Sequence, residues 1–113
     1  MSSSYTLNVL KELGSILLNY CRPKDHVFRN GGEEFSLLLA NCSNTEALAT
    51  AEKIRNQVEQ RSFDLLTGEQ IKITISIGVA TYPETVKDLR KLHENADNAL
   101  YEAKRTGRNK VCN

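Results

Sequence analysis

The chain has no apolar stretch that could cross a bilayer. Its longest such run, ISIGVA at 75–80, falls far short of the ~20 residues a spanning helix needs. Its start, MSSSYTLNVLKELG, shows no cationic leader followed by a hydrophobic core, so a cytoplasmic protein with no membrane segment is expected. Net charge is almost absent. Fifteen Lys+Arg against 14 Asp+Glu leave +1, which gives no global field to draw nucleic acid or anionic lipid, so any anion site has to be local. Cysteine is scarce and odd in number. Cys21, Cys42 and Cys112 are widely spaced, match neither a disulfide framework nor a zinc pattern, and read as free thiols. Repeats, linkers and low-complexity tracts are also lacking. With 40% apolar and 26% charged residues, the 113 residues are in the range of one ordinary globular domain, 1–113.

The periodicity supplies the elements. From Tyr5 to Cys21, Leu7, Val9, Leu10, Leu13, Leu17 and Leu18 recur at the three- and four-residue spacing of a helix burying one face, and Pro23 stops it. HVFR and EEFSLLLA read as two strands around Asn30-Gly31-Gly32, a hairpin. Ser43 with Glu46 three residues on is a capping box, and Ala47, Ala51, Ile54 and Val58 continue it as the buried stripe of a helix that fades near Ser62. After Thr67-Gly68, alternation from Ile71 to Val79 predicts a strand with one buried face. A third helix is expected over 85–106, closed by Gly107, and a short edge strand over 110–113. The order indicates an α+β fold with helices packed on a mainly antiparallel sheet.

Three clusters carry chemistry, each with a plainer alternative. Gly31-Gly32 followed by Glu33-Glu34 combines residues that let a ligand approach the backbone with carboxylates suited to hard divalent cations. The same four residues also suit an exposed turn with a polar flank. Because adjacent strand residues point to opposite faces, Glu33 and Glu34 cannot share one metal without a bulge. Lys104 and Arg108, four apart near a helix end, can converge on one polyanion, or form only a solvated basic terminus. Arg22 to Asp25, RPKD, taken alone is a polar turn after a helix. His26 and His93 have no second histidine at ligand spacing and are assigned no chemistry.

Joined, the strings say more. RxxD, five residues, then GGEEF, followed by AEKIR, ISIGVA and ADNALYEAKRTGRN, resembles the GGDEF (diguanylate cyclase) family across essentially the whole chain. The resemblance implies a palm-like (ferredoxin-like) antiparallel sheet with helices packed on it. It also implies condensation of two GTP into cyclic di-GMP by a dimer in which each domain holds one GTP with two divalent ions, Mg²⁺ or Mn²⁺. By the same resemblance Glu33 corresponds to a metal ligand and Glu34 to an acidic group at the reacting centre. Gly31 and Gly32 correspond to the turn under GTP, and Lys104 and Arg108 to triphosphate contacts. Arg22 and Asp25 correspond to an inhibitory product site, with Lys53 where some members carry a further arginine. Lysine there keeps the charge and loses the bidentate fork. The implied setting is a homodimer or larger homo-oligomer within a protein carrying an upstream sensory or regulatory domain.

Against the family pattern, the segment holding the first central strand and its metal-binding aspartate is absent from this sequence, and Thr6-Leu7 replaces the usual Gly-Asp, so a hydrogen-bond acceptor for guanine is lost. Weak metal binding and no turnover by this chain alone are expected, leaving a non-catalytic cyclic di-GMP-binding or dimerisation module as the alternative. The sheet is expected to solve the lost strand in one of two ways. Its neighbours, EEFSLLLA and ITISIGVA, either pair directly or admit a strand from another chain, and the second is favoured because helices spaced for a wider sheet would leave cavities over a narrower one.

Overall fold

The computed structural model of the chain describes residues 7–113 apart from positions 23, 24, 32, 41 and 66. Helix α1 runs Leu7–Tyr20, strands β1 and β2 His26–Arg29 and Glu34–Ala40, and helix α2 Asn44–Gln60. A small hairpin of β3 (Ser62–Asp64) and β4 (Gln70–Lys72) leads to β5 (Ser76–Tyr82). A 3₁₀ turn at Leu89–Lys91, helix α3 (Leu92–Arg105) and strand β6 (Val111–Cys112) complete the chain. No helix among the described residues is long and apolar enough to cross a membrane.

Local chemistry explains most boundaries. Ser43 caps α2: its Oγ accepts from the Glu46 amide at 3.1 Å and donates to the Glu46 carboxylate at 2.9 Å. The stripe Ala47, Ala51, Ile54 and Val58 is fully buried. In α1 the buried stripe is Val9, Leu13, Ile16 and Leu17, while Leu18, expected within it, is 70% exposed. α3 starts later than the expected 85, because Asp88 caps the 3₁₀ turn through the Arg90 amide. It ends at Thr106 with Gly107 at φ 125°, and the Arg108 amide closes back on the Ala103 carbonyl at 2.8 Å, a Schellman arrangement.

The main sheet has the order β1-β2-β5-β6. β1 pairs antiparallel with β2, whereas β2–β5 and β5–β6 are parallel. The α+β class therefore holds, with a mixed rather than mainly antiparallel sheet. Two strands that would each run antiparallel to a common middle strand run parallel to one another, so when they meet directly the ladder has to be parallel. They do meet directly, in register from Glu34↔Ser76 to Ala40↔Tyr82. The favoured expectation of a borrowed strand is corrected accordingly. This ladder pairs the backbones of both strands within the chain, α3 packs closely on β5, and a hollow of about 250 Å³ is left between α1 and the β1–β2 hairpin, lined by Leu10, Leu17, Val27 and Phe35 among others.

The close packing of α3 rests on Gly78. A Cβ there would lie 2.1 Å from the Ala96 carbonyl oxygen and 2.5 Å from the Leu100 nitrogen, so only glycine lets the helix backbone sit on β5. The expected single strand over 71–79 is instead two. Residues 70–72 pair with β3, and β5 is buried along both faces rather than one, as for a parallel strand covered by helices on each side. Phe35, Leu37, Leu39, Ile77 and Val79 join the α1 and α2 stripes in one core, while Leu38, Ala80, Val86, Leu92 and Ala96 form another under α3.

Candidate functional site

The parallel ladders bring the starts of β2, β5 and β6 to one end of the sheet, where α3 also ends. Ser76 N–H donates to the Glu33 carbonyl at 2.9 Å and Ile77 N–H to the Lys110 carbonyl at 3.0 Å, so the signature hairpin and the basic C-terminal segment are tied to adjacent positions of β5. The turn is closed by the Asn30 amide on the Glu34 carbonyl at 2.8 Å. The Glu34 carboxylate lies over Gly31, where a Cβ would come within 2.9 Å of Oε1.

Opposite Glu34 stand both expected cations. Lys104 Nζ is 3.3 Å from Glu34 Oε1, and an Arg108 Nη is 3.7 Å from Oε2. They converge on this carboxylate from different elements. Lys104 projects from the last turn of α3, whereas Arg108 lies beyond the helix at φ 61°. Arg108 is 63% exposed and Glu34 24%, so this link is open to a competing anion.

A polar line that sequence reasoning missed runs beneath the hairpin. Asn30 donates to Ser36 Oγ, and Ser36 Oγ donates to Asp97 Oδ1 at 3.1 Å. Asp97 Oδ2 is 3.4 Å from His93 Nδ1, and the His93 ring meets Phe28 edge-on at 4.8 Å. The available signal was Ser36 itself, a hydroxyl inside the apolar run FSLLLA, since a buried polar group needs a partner. Asn30, Asp97, Leu100, Tyr101 and Lys104 together with Glu34 line an open hollow of about 310 Å³.

Arg22 and Asp25 precede β1, whose start at His26 pairs with Leu38 away from the hairpin turn, and they meet each other as a local i,i+3 pair. The Asp25 carboxylate, 2% exposed, accepts from the Arg22 amide at 2.8 Å and stands 3.3 Å from the guanidinium, which is itself 54% exposed. Lys53 is not joined to them. It lines a separate hollow with Tyr20, Asn56, Gln57 and Arg61, and among the described residues no hydrogen bond or ion pair links it to Arg22 or Asp25. Burial pushes Cys21 up with Asp25 adding to it, and burial pushes Cys42 up against the opposing pull of Arg22.

The residues present do not fit a resident pair of divalent ions. Among the described residues no three carboxylate, histidine or cysteine side chains form a group that could hold a metal ion, and Glu34 is committed to two cations. Gly32 and Thr6 lie outside the described residues.

Known proteins give this geometry its context. The chain is 46% identical over 104 residues to the uncharacterized protein YhcK of Bacillus subtilis, covering 92% of this chain and 29% of that protein. It is 44% identical over 103 residues to diguanylate cyclase A of Treponema denticola, covering 91% of this chain and 28% of the relative. It thus spans under a third of the length of either relative. Among solved structures, the GGDEF domain of DgcB from Caulobacter crescentus, in complex with c-di-GMP, superposes with a TM-score of 0.70 at 28% identity, covering 92% of this chain and 61% of that one. Residues 6–110 match the family described as diguanylate cyclase, GGDEF domain, and the chain belongs to that family.

Proposed function

We propose that this chain is the GTP-handling unit of a diguanylate cyclase, in which two such units meet as a homodimer and join two GTP into cyclic di-GMP. We propose also that the chain by itself binds nucleotide without turning it over. The observation that carries the reading is the meeting of Glu34 with Lys104 and Arg108 across the fold. Two cations aimed at one open carboxylate form a site that a triphosphate, with more charge and more acceptor oxygens, would win by displacement. In that reading Lys104 and Arg108 hold and neutralise the phosphates, Gly31 and Gly32 admit the nucleotide close to the backbone, and released Glu34 faces the reacting centre. The 3′-hydroxyl of one GTP attacks the α-phosphate of the other. The protein's part is to position the two and to offset charge. Turnover by the chain alone is not supported, because among the described residues no group of three acidic, histidine or cysteine side chains could hold Mg²⁺ or Mn²⁺. A longer parent protein with an upstream sensory or regulatory domain would supply the control.

Calorimetry of the purified full chain with GTP and Mg²⁺, beside chromatographic assay for cyclic di-GMP, tests this. Binding without product is expected. Product formation that disappears in Glu33→Ala would overturn the claim of incompetence, and absence of GTP binding would overturn the whole reading.

A second reading, a cyclic di-GMP-binding module, is favoured by Arg22, whose exposed fork is oriented from behind by Asp25. In that reading cyclic di-GMP affinity is lost in Arg22→Ala and kept in Glu33→Ala. Equal binding by Arg22→Ala and the parent protein would sink it.

A further inference from the structure

Three consecutive residues, Gly107, Arg108 and Asn109, all have positive φ, at 125°, 61° and 48°. Glycine accepts this freely and asparagine fairly well, but arginine does not, so something outside the turn has to hold it. Asn109 is where it is held. Its Oδ1 accepts from Arg55 Nη1 at 2.8 Å and its Nδ2 donates to Glu59 Oε2 at 2.8 Å, both on α2. Its backbone N–H donates to Ser76 Oγ at 3.1 Å on β5, where Ser76 is buried. The Arg55 guanidinium is itself anchored by Glu52 and Glu59. Arg108, directly before this clasp, makes no such side-chain bonds among the described residues. Its exposed side chain extends to Glu34 instead.

We infer that Asn109, clasped by Arg55 and Glu59, is a positioning residue that fixes the left-handed turn and thereby aims Arg108 at the phosphate-binding cations' shared target. The inference rests on the reading of Lys104 and Arg108 as phosphate contacts. It adds that α2, which supplies no ligand to that site, governs its affinity through the turn. Asn109→Gly separates the two roles of the asparagine, because glycine adopts the same φ without strain but cannot be clasped. Arg55→Gln removes the charged arm of the clasp while leaving Asn109 and its bond to Glu59 in place, and serves as the second variant should the first fail to fold.

The test is calorimetric titration of the full chain with GTP and, to isolate the phosphate contacts from the base, with tripolyphosphate. The parent, Asn109→Gly, Arg55→Gln, Arg108→Ala and the two double variants with Arg108→Ala are compared. Losing one charged hydrogen-bond partner weakens binding roughly ten- to a hundredfold. Asn109→Gly and Arg55→Gln are expected to approach the loss of Arg108→Ala, and each double variant to be no weaker than Arg108→Ala alone, the mark of residues acting through one another. Parent-like affinity in both clasp variants, or losses that add to that of Arg108→Ala, would overturn the inference while leaving the phosphate reading intact. Failure of the parent to bind either anion would overturn the phosphate reading, and the inference with it.

Discussion

Glu34 is the residue on which most of the chemistry turns. Its carboxylate is held between Lys104 and Arg108 at 3.3 and 3.7 Å, yet both cations stay partly in water. Exposed pairs of this kind contribute ~0–1 kcal/mol, so Glu34 acts as an internal anion that any polyanion must displace rather than as a support of the fold. Glu34→Gln is therefore expected to leave the melting temperature within a few degrees of the parent and to raise affinity for tripolyphosphate severalfold at low salt. Titration calorimetry at two ionic strengths checks both the rise and its screening. An unchanged or lower affinity would mean that the cations are not poised for an anion. Glu34, Lys104 and Arg108 were each legible in the sequence from the signature strings. What was not legible is that Arg108 reaches the site from a left-handed turn held by α2, because Arg55 in AEKIR and Asn109 in GRN lie more than fifty residues apart and only the folded chain brings them together.

At the scale of elements, the close approach of α3 to β5 is the most sensitive contact. A methyl at position 78 would be driven into the backbone of Ala96 and Leu100, neither of which can rotate away. Gly78→Ala should cost at least the ~1–3 kcal/mol of an overpacked core, and chemical denaturation should show it as a lower midpoint at unchanged slope. The α2 clasp gives a second measurable property. Hydrogen bonds from Arg55 hold the Glu52 carboxyl below its usual range, and bonds first from Asn109 and then from Arg55 do the same for Glu59. A carboxyl depressed on folding adds stability that is fully present above its unfolded value of 4.5 and is lost as pH falls through the lower folded value. Melting temperature should therefore drop as pH goes below about 4.5, and less steeply in Arg55→Gln, where Glu52 loses the bond that lowers it while Glu59 keeps the one from Asn109. Helices and hairpin were readable because their signals are local: the Ser43 and Glu46 box, the α2 stripe, the Gly107 cap. The break of the 71–79 pattern into two strands was not, since Ile71, Ile73 and Ile75 alternate smoothly and only the distant pairing of β4 with β3 decides where one strand ends.

For the whole molecule, the sheet is organised around a pair of strands covered on both faces. Amide hydrogen exchange should find its slowest sites in residues 35–39 of β2 and 77–81 of β5, with β1 and β6 faster because each has one open edge. Edge-like exchange rates along the facing sides of β2 and β5 would contradict their direct pairing. The same pairing has a consequence for how the chain reaches this state. Its partners, Glu34 with Ser76 through Ala40 with Tyr82, are separated by roughly forty residues of chain, so a long loop has to close before the first ladder bond returns any energy. The β1–β2 hairpin and the three helices can begin to form from neighbours in sequence, while the central ladder waits for α2 and the β3–β4 hairpin to swing β5 back alongside β2. Folding should accordingly be limited by this one crossover, and while it is still open both apolar strands stand bare, which makes the interval before closure the time when the chain is most exposed to aggregation.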